Sequence, residues 1–493
     1  MRLALISLLA LSSLSSAAHA QVKFSDLAGW WSADPTYAGE SSRVVLHLLE
    51  DDGKPTARLS IVAIGGYDFP LGTVSLQANT LDTQPFSFPL TYDAASDTLS
   101  GVLPNDAVPV YRIPVEFHRS TPYAKPAAPR WAGPKPAIKW SVDTGAAAWA
   151  GLERDAATGL LYSGNEQGVL HAIDAAGSIR WKFETGKPIR ARPTLIGDSV
   201  YVASDSGFLY RLDKLTGAEQ WRASIDHGSP ARIPPSEENS RWDRYGASAI
   251  ADAKHLYIAS RDNHLYALDI ATGKQVWQFA ADDMMTATPA LYRDSVLFAD
   301  FAGKVRSVAA SDGTLRWTYD AQLPVAGDVV VADDRVLVGS RTYDLIALDA
   351  ATGKEQWKHY YWFSWIESPP VVRDGVVYTG SSDATNVYAL DLANGTLRWK
   401  ASVPGWAWSR TAVSEEVVVA GTAGVGEYPG ARAGSLIALD RQSGAIRWLY
   451  LDPPPKEIVA AKKGWGFGAS PVIAGDTVYA VDLNGRVFAF ALR

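Results

Sequence analysis

Between Leu265 and Phe279 the chain reads LYALDIATGKQVWQF. Leu265, Ala267 and Asp269 alternate with Tyr266, Leu268 and Ile270, a period of two that predicts a β-strand. Thr272-Gly273 predicts a turn, where glycine takes positive φ at little cost and the Asp269 carboxylate can bond the turn backbone. Trp277 then falls on the returning strand, and a lone hairpin gives its ring nothing to pack on. The pattern therefore predicts copies of itself.

The copies run along most of the chain. The same strand, turn and Trp end at Trp181, Trp221, Trp317, Trp357, Trp399 and Trp448. They recur about every 40 residues, with longer intervals before Trp277 and Trp448, a period typical of four-stranded propeller blades. Each unit opens with an apolar strand, a short turn and a second strand, as in ARPTLIGDSVYVAS. The last unit stops at Arg493 after three strands, whereas Trp140 in AIKWSVDTG has no strands of its own before it. The fold class predicted is all-β: an eight-bladed β-propeller of four-stranded antiparallel blades, closed when the Trp140 strand completes the C-terminal blade. Closure removes exposed sheet edges. Each buried Trp contributes at most roughly 4 to 6 kcal/mol, enough to explain the repeated Trp as packing between blades.

Outside the repeat the pattern changes. Residues 1–20 read as a secretory signal, with Arg2, an apolar run from Leu3 to Leu14 and AHA ending at Ala20; the run is too short to span a bilayer. Residues 21–122 predict a small antiparallel barrel or sandwich, from strand pairs such as SRVVLHLLEDDGKPTARLSI joined by Asp/Gly turns. Residues 123–137 form a Pro/Ala-rich stiff linker, and the propeller occupies 138–493.

The recurring Ala-Leu-Asp, Thr-Gly, Trp motif resembles the pyrroloquinoline quinone (PQQ) type propeller repeat, over Trp140 to Arg493. Two kinds of relative set the functional choice. One is the PQQ-dependent alcohol and glucose dehydrogenases; the other is BamB, the propeller lipoprotein of the outer-membrane barrel-assembly machinery. LAGWW and DTLSGVL in the N-terminal part are similar to the small β-domain that precedes some exported hydrolases. A shared fold leaves function to be argued from the site.

Composition narrows the choice. The chain has no cysteine and a formal net charge of −7, so thiolate metal sites, c-type haem attachment and cysteine nucleophiles are absent and nucleic acid is not an expected partner. Position 21 is Gln, so the expected mature chain starts without a lipid anchor, as a periplasmic or secreted monomer with no membrane insertion. The alcohol-oxidising relatives set a vicinal disulfide against the quinone, which this chain cannot make. No nucleophile elbow, phosphate loop or metal-spaced His set occurs, and the DLNG and DLANG segments sit where every blade turns.

One face of the ring collects unusual side chains. The connections that enter each innermost strand carry Arg190 and Arg192, Arg244 and Tyr245, Trp362, Trp365 and Glu367, Trp406, Trp408 and Arg410, and Trp465 with Phe467. The same face carries two insertions, DHGSPARIPPSEENSRWDRYG and GTAGVGEYPGARAGS. Aromatic rings with Arg suit a planar or anionic ligand, a protein partner, or a plug for the wide axis of an eight-bladed ring. The reading carried forward is an exported, non-catalytic scaffold that binds envelope protein through this face, with no cofactor and no catalytic or metal-binding residues. The alternatives are a dehydrogenase using PQQ with calcium, oxidising alcohols or sugars, and a protein that binds or cleaves acidic polysaccharide.

Overall fold

The computed structural model describes residues 22–37, 40–103, 112–125, 131–233, 243–424, 432–454 and 464–493. The expected leader lies outside the described residues, as do parts of the linker and of both insertions. Among the described residues no helix is long and apolar enough to cross a membrane.

Eight four-stranded antiparallel blades follow one another along the chain. Blade 1 begins with Glu153–Arg154 and ends with Ile179–Glu184, and blade 7 ends with Ile446–Leu451. Blade 8 is made of Val472–Ala474, Thr477–Val481, Arg486–Ala491 and, from the other end of the propeller, Ile138–Asp143. Trp140 stands opposite Ala489 in that pair, which is the closure the ends of the repeat predict. The second and third strands of each blade are sandwiched by neighbouring blades, so their burial is continuous: His264–Asp269 in blade 3 is buried at four successive positions. Apolar residues on both faces of these strands are the reason the period of two fades there.

The turn glycine answers to the blade before it. Gly273 has φ +69°, and a Cβ on it would lie 2.7 Å from Cε3 of Trp221, the fourth-strand Trp of the preceding blade. Gly353 under Trp317 repeats the contact at 2.5 Å. The Trp indole also reaches the same turn by hydrogen bond: Trp277 Nε1 donates to Ala310 O at 3.0 Å and Trp140 Nε1 to Ala175 O at 2.8 Å. The motif is thus an interlock between consecutive blades. Asp269 holds its own turn, accepting from Thr272 N at 2.8 Å and Thr272 Oγ1 at 2.7 Å.

The N-terminal part is a closed eight-stranded barrel running from Gly29–Ala33 to Pro114–Ser120. Its interior holds Trp31, Leu46, Phe88, Leu99 and Phe117. The Trp31 indole donates to Leu27 O at 2.9 Å, and the Arg119 guanidinium lies over its ring at 4.3 Å. The barrel is seated on the propeller. Its core is continuous with Tyr343, Tyr360 and Trp362 of blade 5 and the connection that follows, with Tyr37, Ile61, Ala63, Phe363 and Trp365 at the margin. Tyr37 meets Tyr360 edge-on at 4.9 Å, Lys400 pairs with Glu40 at 3.1 Å, and Arg432 donates to Ile64 O at 3.0 Å.

Two deletions separate these roles. Removing residues up to 122 should leave a closed ring with an uncovered aromatic patch, read as dye binding and association on gel filtration. Removing residues up to 143 also takes the closing strand, and should lower the melting temperature well below that of the shorter deletion. Equal melting of the two would contradict the role of the closing strand.

Candidate functional site at the ring axis

The connections from each fourth strand to the next first strand, and the turns between second and third strands, meet on one face, and their side chains converge at the axis. Glu367, in the connection into blade 6, lies at the centre of a charge cluster. Its Oε2 accepts from Arg244 Nη2 at 2.6 Å and its Oε1 from Arg341 Nη2 at 2.8 Å. Arg244 is 1% exposed and Glu367 2%. Burial alone would raise the Glu367 carboxyl, but Arg341 and Arg244 outweigh it and hold the group below the usual carboxylate range.

Aromatic rings box the Arg244 guanidinium. It lies 3.5 Å from the Trp408 ring centroid, 4.4 Å from Tyr245 and 5.6 Å from Trp149. Trp408 stacks on Trp406 at 4.4 Å with planes 24° apart. The indoles are anchored as well, Trp408 Nε1 to Ser382 Oγ and Trp406 Nε1 to Asp383 Oδ1, both at 3.1 Å. Burial pushes the Tyr245 phenol up to about 12.

The other predicted arginines are spent on acids. Arg190 is bidentate to Glu166 at 2.9 and 2.7 Å, Arg192 pairs with Glu153 at 3.2 Å, and Arg410 with Asp328 at 2.8 Å. The open space among these axis residues is about 60 Å³, room for a few water molecules.

The twelve predicted residues therefore divide three ways. Arg190, Arg192, Arg244, Tyr245, Glu367, Trp406, Trp408 and Arg410 surround or fill the axis. Trp362 and Trp365 belong to the seam with the barrel. Trp465 and Phe467 sit between blades 7 and 8: Gly424 and Gly434 press against the Trp465 ring, and Phe467 packs on Phe488 at 5.8 Å. Burial divides the cluster: Trp406 and Phe467 have no exposed surface and Trp408 has 1%, whereas the side chains of Arg192 and Arg410 are 40% and 29% exposed. The cause is geometric: eight blades leave a wide axis, and large rings fill it.

Sequence reasoning missed Arg341, Trp149, Glu166 and Asp328. Arg341 carried a signal, because Ser340-Arg341 occupies the same second-to-third-strand turn as Ser260-Arg261 in blade 3. Arg261 pairs with Asp243 at 2.6 Å, and Arg232 joins the same carboxylate at 2.9 Å. That cluster fastens the inserted connection between blades 2 and 3. Among the described residues no group of three His, Cys, Asp or Glu side chains is placed to hold a metal ion.

A family model described as outer membrane protein assembly factor BamB matches residues 136–241, 237–329 and 302–493, the whole propeller. The chain belongs to this family. BamB of Yersinia pestis is 24% identical over 61% of this chain and 84% of its own length. A polyvinylalcohol dehydrogenase of Sphingopyxis is 28% identical over 56% of this chain, but over only 36% of its own length. Among solved structures, the quinohemoprotein alcohol dehydrogenase of Comamonas testosteroni superposes with a TM-score of 0.56 at 12% identity, covering 72% of this chain and 76% of that one. That likeness extends to the fold. The BamB family match covers the closing strand as well as the C-terminal blade it completes.

Proposed function

We propose that this chain is a non-catalytic scaffold of the cell envelope, exported by its leader, that binds a protein partner engaged in assembling outer-membrane proteins. The observation that carries the reading is the filled axis within a BamB-family propeller. The space of about 60 Å³ there is far below the roughly 300 to 1,000 Å³ of small-molecule sites. PQQ with calcium does not fit it: the stacked, buried rings of Trp406 and Trp408 take up the axis beside that space, and Asp328 and Glu367 are already held by arginines. The barrel's contacts fall on blades 5 to 7, leaving the rim of blades 1 to 3 on the far side of the axis as the partner surface.

Photo-crosslinkers placed in cells at the exposed positions Lys187 and His227, on that rim, should capture a component of outer-membrane protein assembly. One at Lys274, in a turn on the opposite face, should not. Capture only from Lys274 would sink the proposal, as would dye-linked oxidation of an alcohol or sugar by purified protein supplied with PQQ and calcium.

A further inference from the structure

Between the described ends of the connection from blade 2 to blade 3, at Pro230, Ile233 and Asp243, and blades 3 to 5 lies a second cavity, of about 340 Å³. Its walls are mostly apolar, formed by Pro230, Ile233, Met284, Phe301 and Ala326, with two guanidiniums among them, Arg261 and Arg341, and the Asp243 carboxylate, which Arg261 and Arg232 neutralise. The two differ in what they have left to give. Arg261 spends both terminal nitrogens on Asp243 and the Pro230 carbonyl. Arg341 directs Nε and Nη2 to a single oxygen of Glu367, Oε1, at 3.2 and 2.8 Å, while Arg244 takes the other oxygen, Oε2, from the far side. Its Nη1 makes no hydrogen bond to any described residue, and the side chain is 19% exposed.

We propose that this cavity binds a monocarboxylate carried on an apolar body, with the carboxylate on Arg341 Nη1. A guanidinium with an open edge matches a carboxylate in geometry as well as charge. The apolar walls favour a hydrocarbon or aromatic body, and one open donor edge favours a single negative charge, because a second would be desolvated without a partner. Two rings hold Arg341 in place, its guanidinium carbon 4.5 Å from the Trp365 centroid and 5.5 Å from that of Phe301. The same chemistry is offered by a free aryl-alkanoic acid and by the C-terminal residue of a peptide. The inference goes beyond the scaffold reading, and a partner captured through Lys187 or His227 neither supports nor opposes it.

Calorimetric titration of the full-length protein tests it with four probes: 3-phenylpropanoate, its amide, and a short peptide ending in Leu as free acid and as amide. At least one acid should bind saturably, with its amide about tenfold weaker or more, the expected effect of losing a charge-assisted hydrogen bond. Tighter binding of the small acid identifies a free carboxylate as the source, tighter binding of the peptide a chain terminus; either supports the site. R341Q should weaken the acid by a similar factor. Because that change also touches Glu367, A231W provides an independent check: Ala231 is exposed and lines the cavity, so the indole should obstruct it while melting stays unchanged. Acid and amide binding equally, no saturable binding of any probe, or acid binding unaltered in both variants would overturn the proposal.

Discussion

Replacing Trp408 or Trp406 by Ala should lower stability by about 3 to 5 kcal/mol, the usual cost of emptying a core site of a large aromatic. Both indoles are buried, stacked on each other and hydrogen-bonded to the turn of blade 6, and Trp408 also supports the Arg244 guanidinium. Equilibrium denaturation in urea measures the effect. The midpoint should fall with the slope unchanged, because the folded and unfolded surfaces stay nearly the same. A Trp408 variant with wild-type stability would mean that the ring axis tolerates a void, and the filled-axis argument for a non-catalytic scaffold would lose its support.

Glu367 should be as costly to remove. E367Q leaves Arg244 and Arg341 without their shared carboxylate in a buried site, and breaking a buried pair in this way costs about 3 to 5 kcal/mol. The variant also carries a pH signature. The folded-state carboxyl sits below its ordinary value, so its contribution is present above the unfolded Glu pKa of about 4.3 and is lost as pH falls through the lower folded value. The stability gap between wild type and E367Q should therefore be constant from about pH 6 to 8 and shrink on acidification below about pH 4. A gap that widens in acid would assign the group the opposite shift.

The propeller was legible because its grammar is local. A Trp that needs a partner, a turn that needs glycine and an Asp that ties the turn all fall within about 13 residues, and the structure joins them across blades. The missing fourth strand after Arg493 pointed to Ile138–Asp143 by simple subtraction. The loops that converge on the axis were found because they break the repeat with Trp and Arg. Their depth was not legible: Trp408 and Arg410 are two residues apart, yet one is buried and the other partly exposed, a difference set by blades distant in sequence. Nor did any pattern forecast the seat of the barrel. Tyr37 meets Tyr360 and the barrel core runs on into Tyr343 and Trp362, and a contact between two non-repeating surfaces leaves no period to read.

The closing strand imposes an order on folding. Thr144 hydrogen-bonds Gly485 across the seam of blade 8, from 341 residues away in sequence. Until that later partner is available Ile138–Asp143 lacks its neighbour in the blade, the kind of edge that recruits wrong partners. The barrel is complete by Ser120 and needs nothing from the C-terminal half to close its own sheet. A barrel that forms first would, through its seam with Tyr360 and Trp362, hold the N-terminal part of the chain at the ring before the last blade is complete. A contact that covers part of the propeller's face in the finished molecule is, during its making, a placeholder for the join.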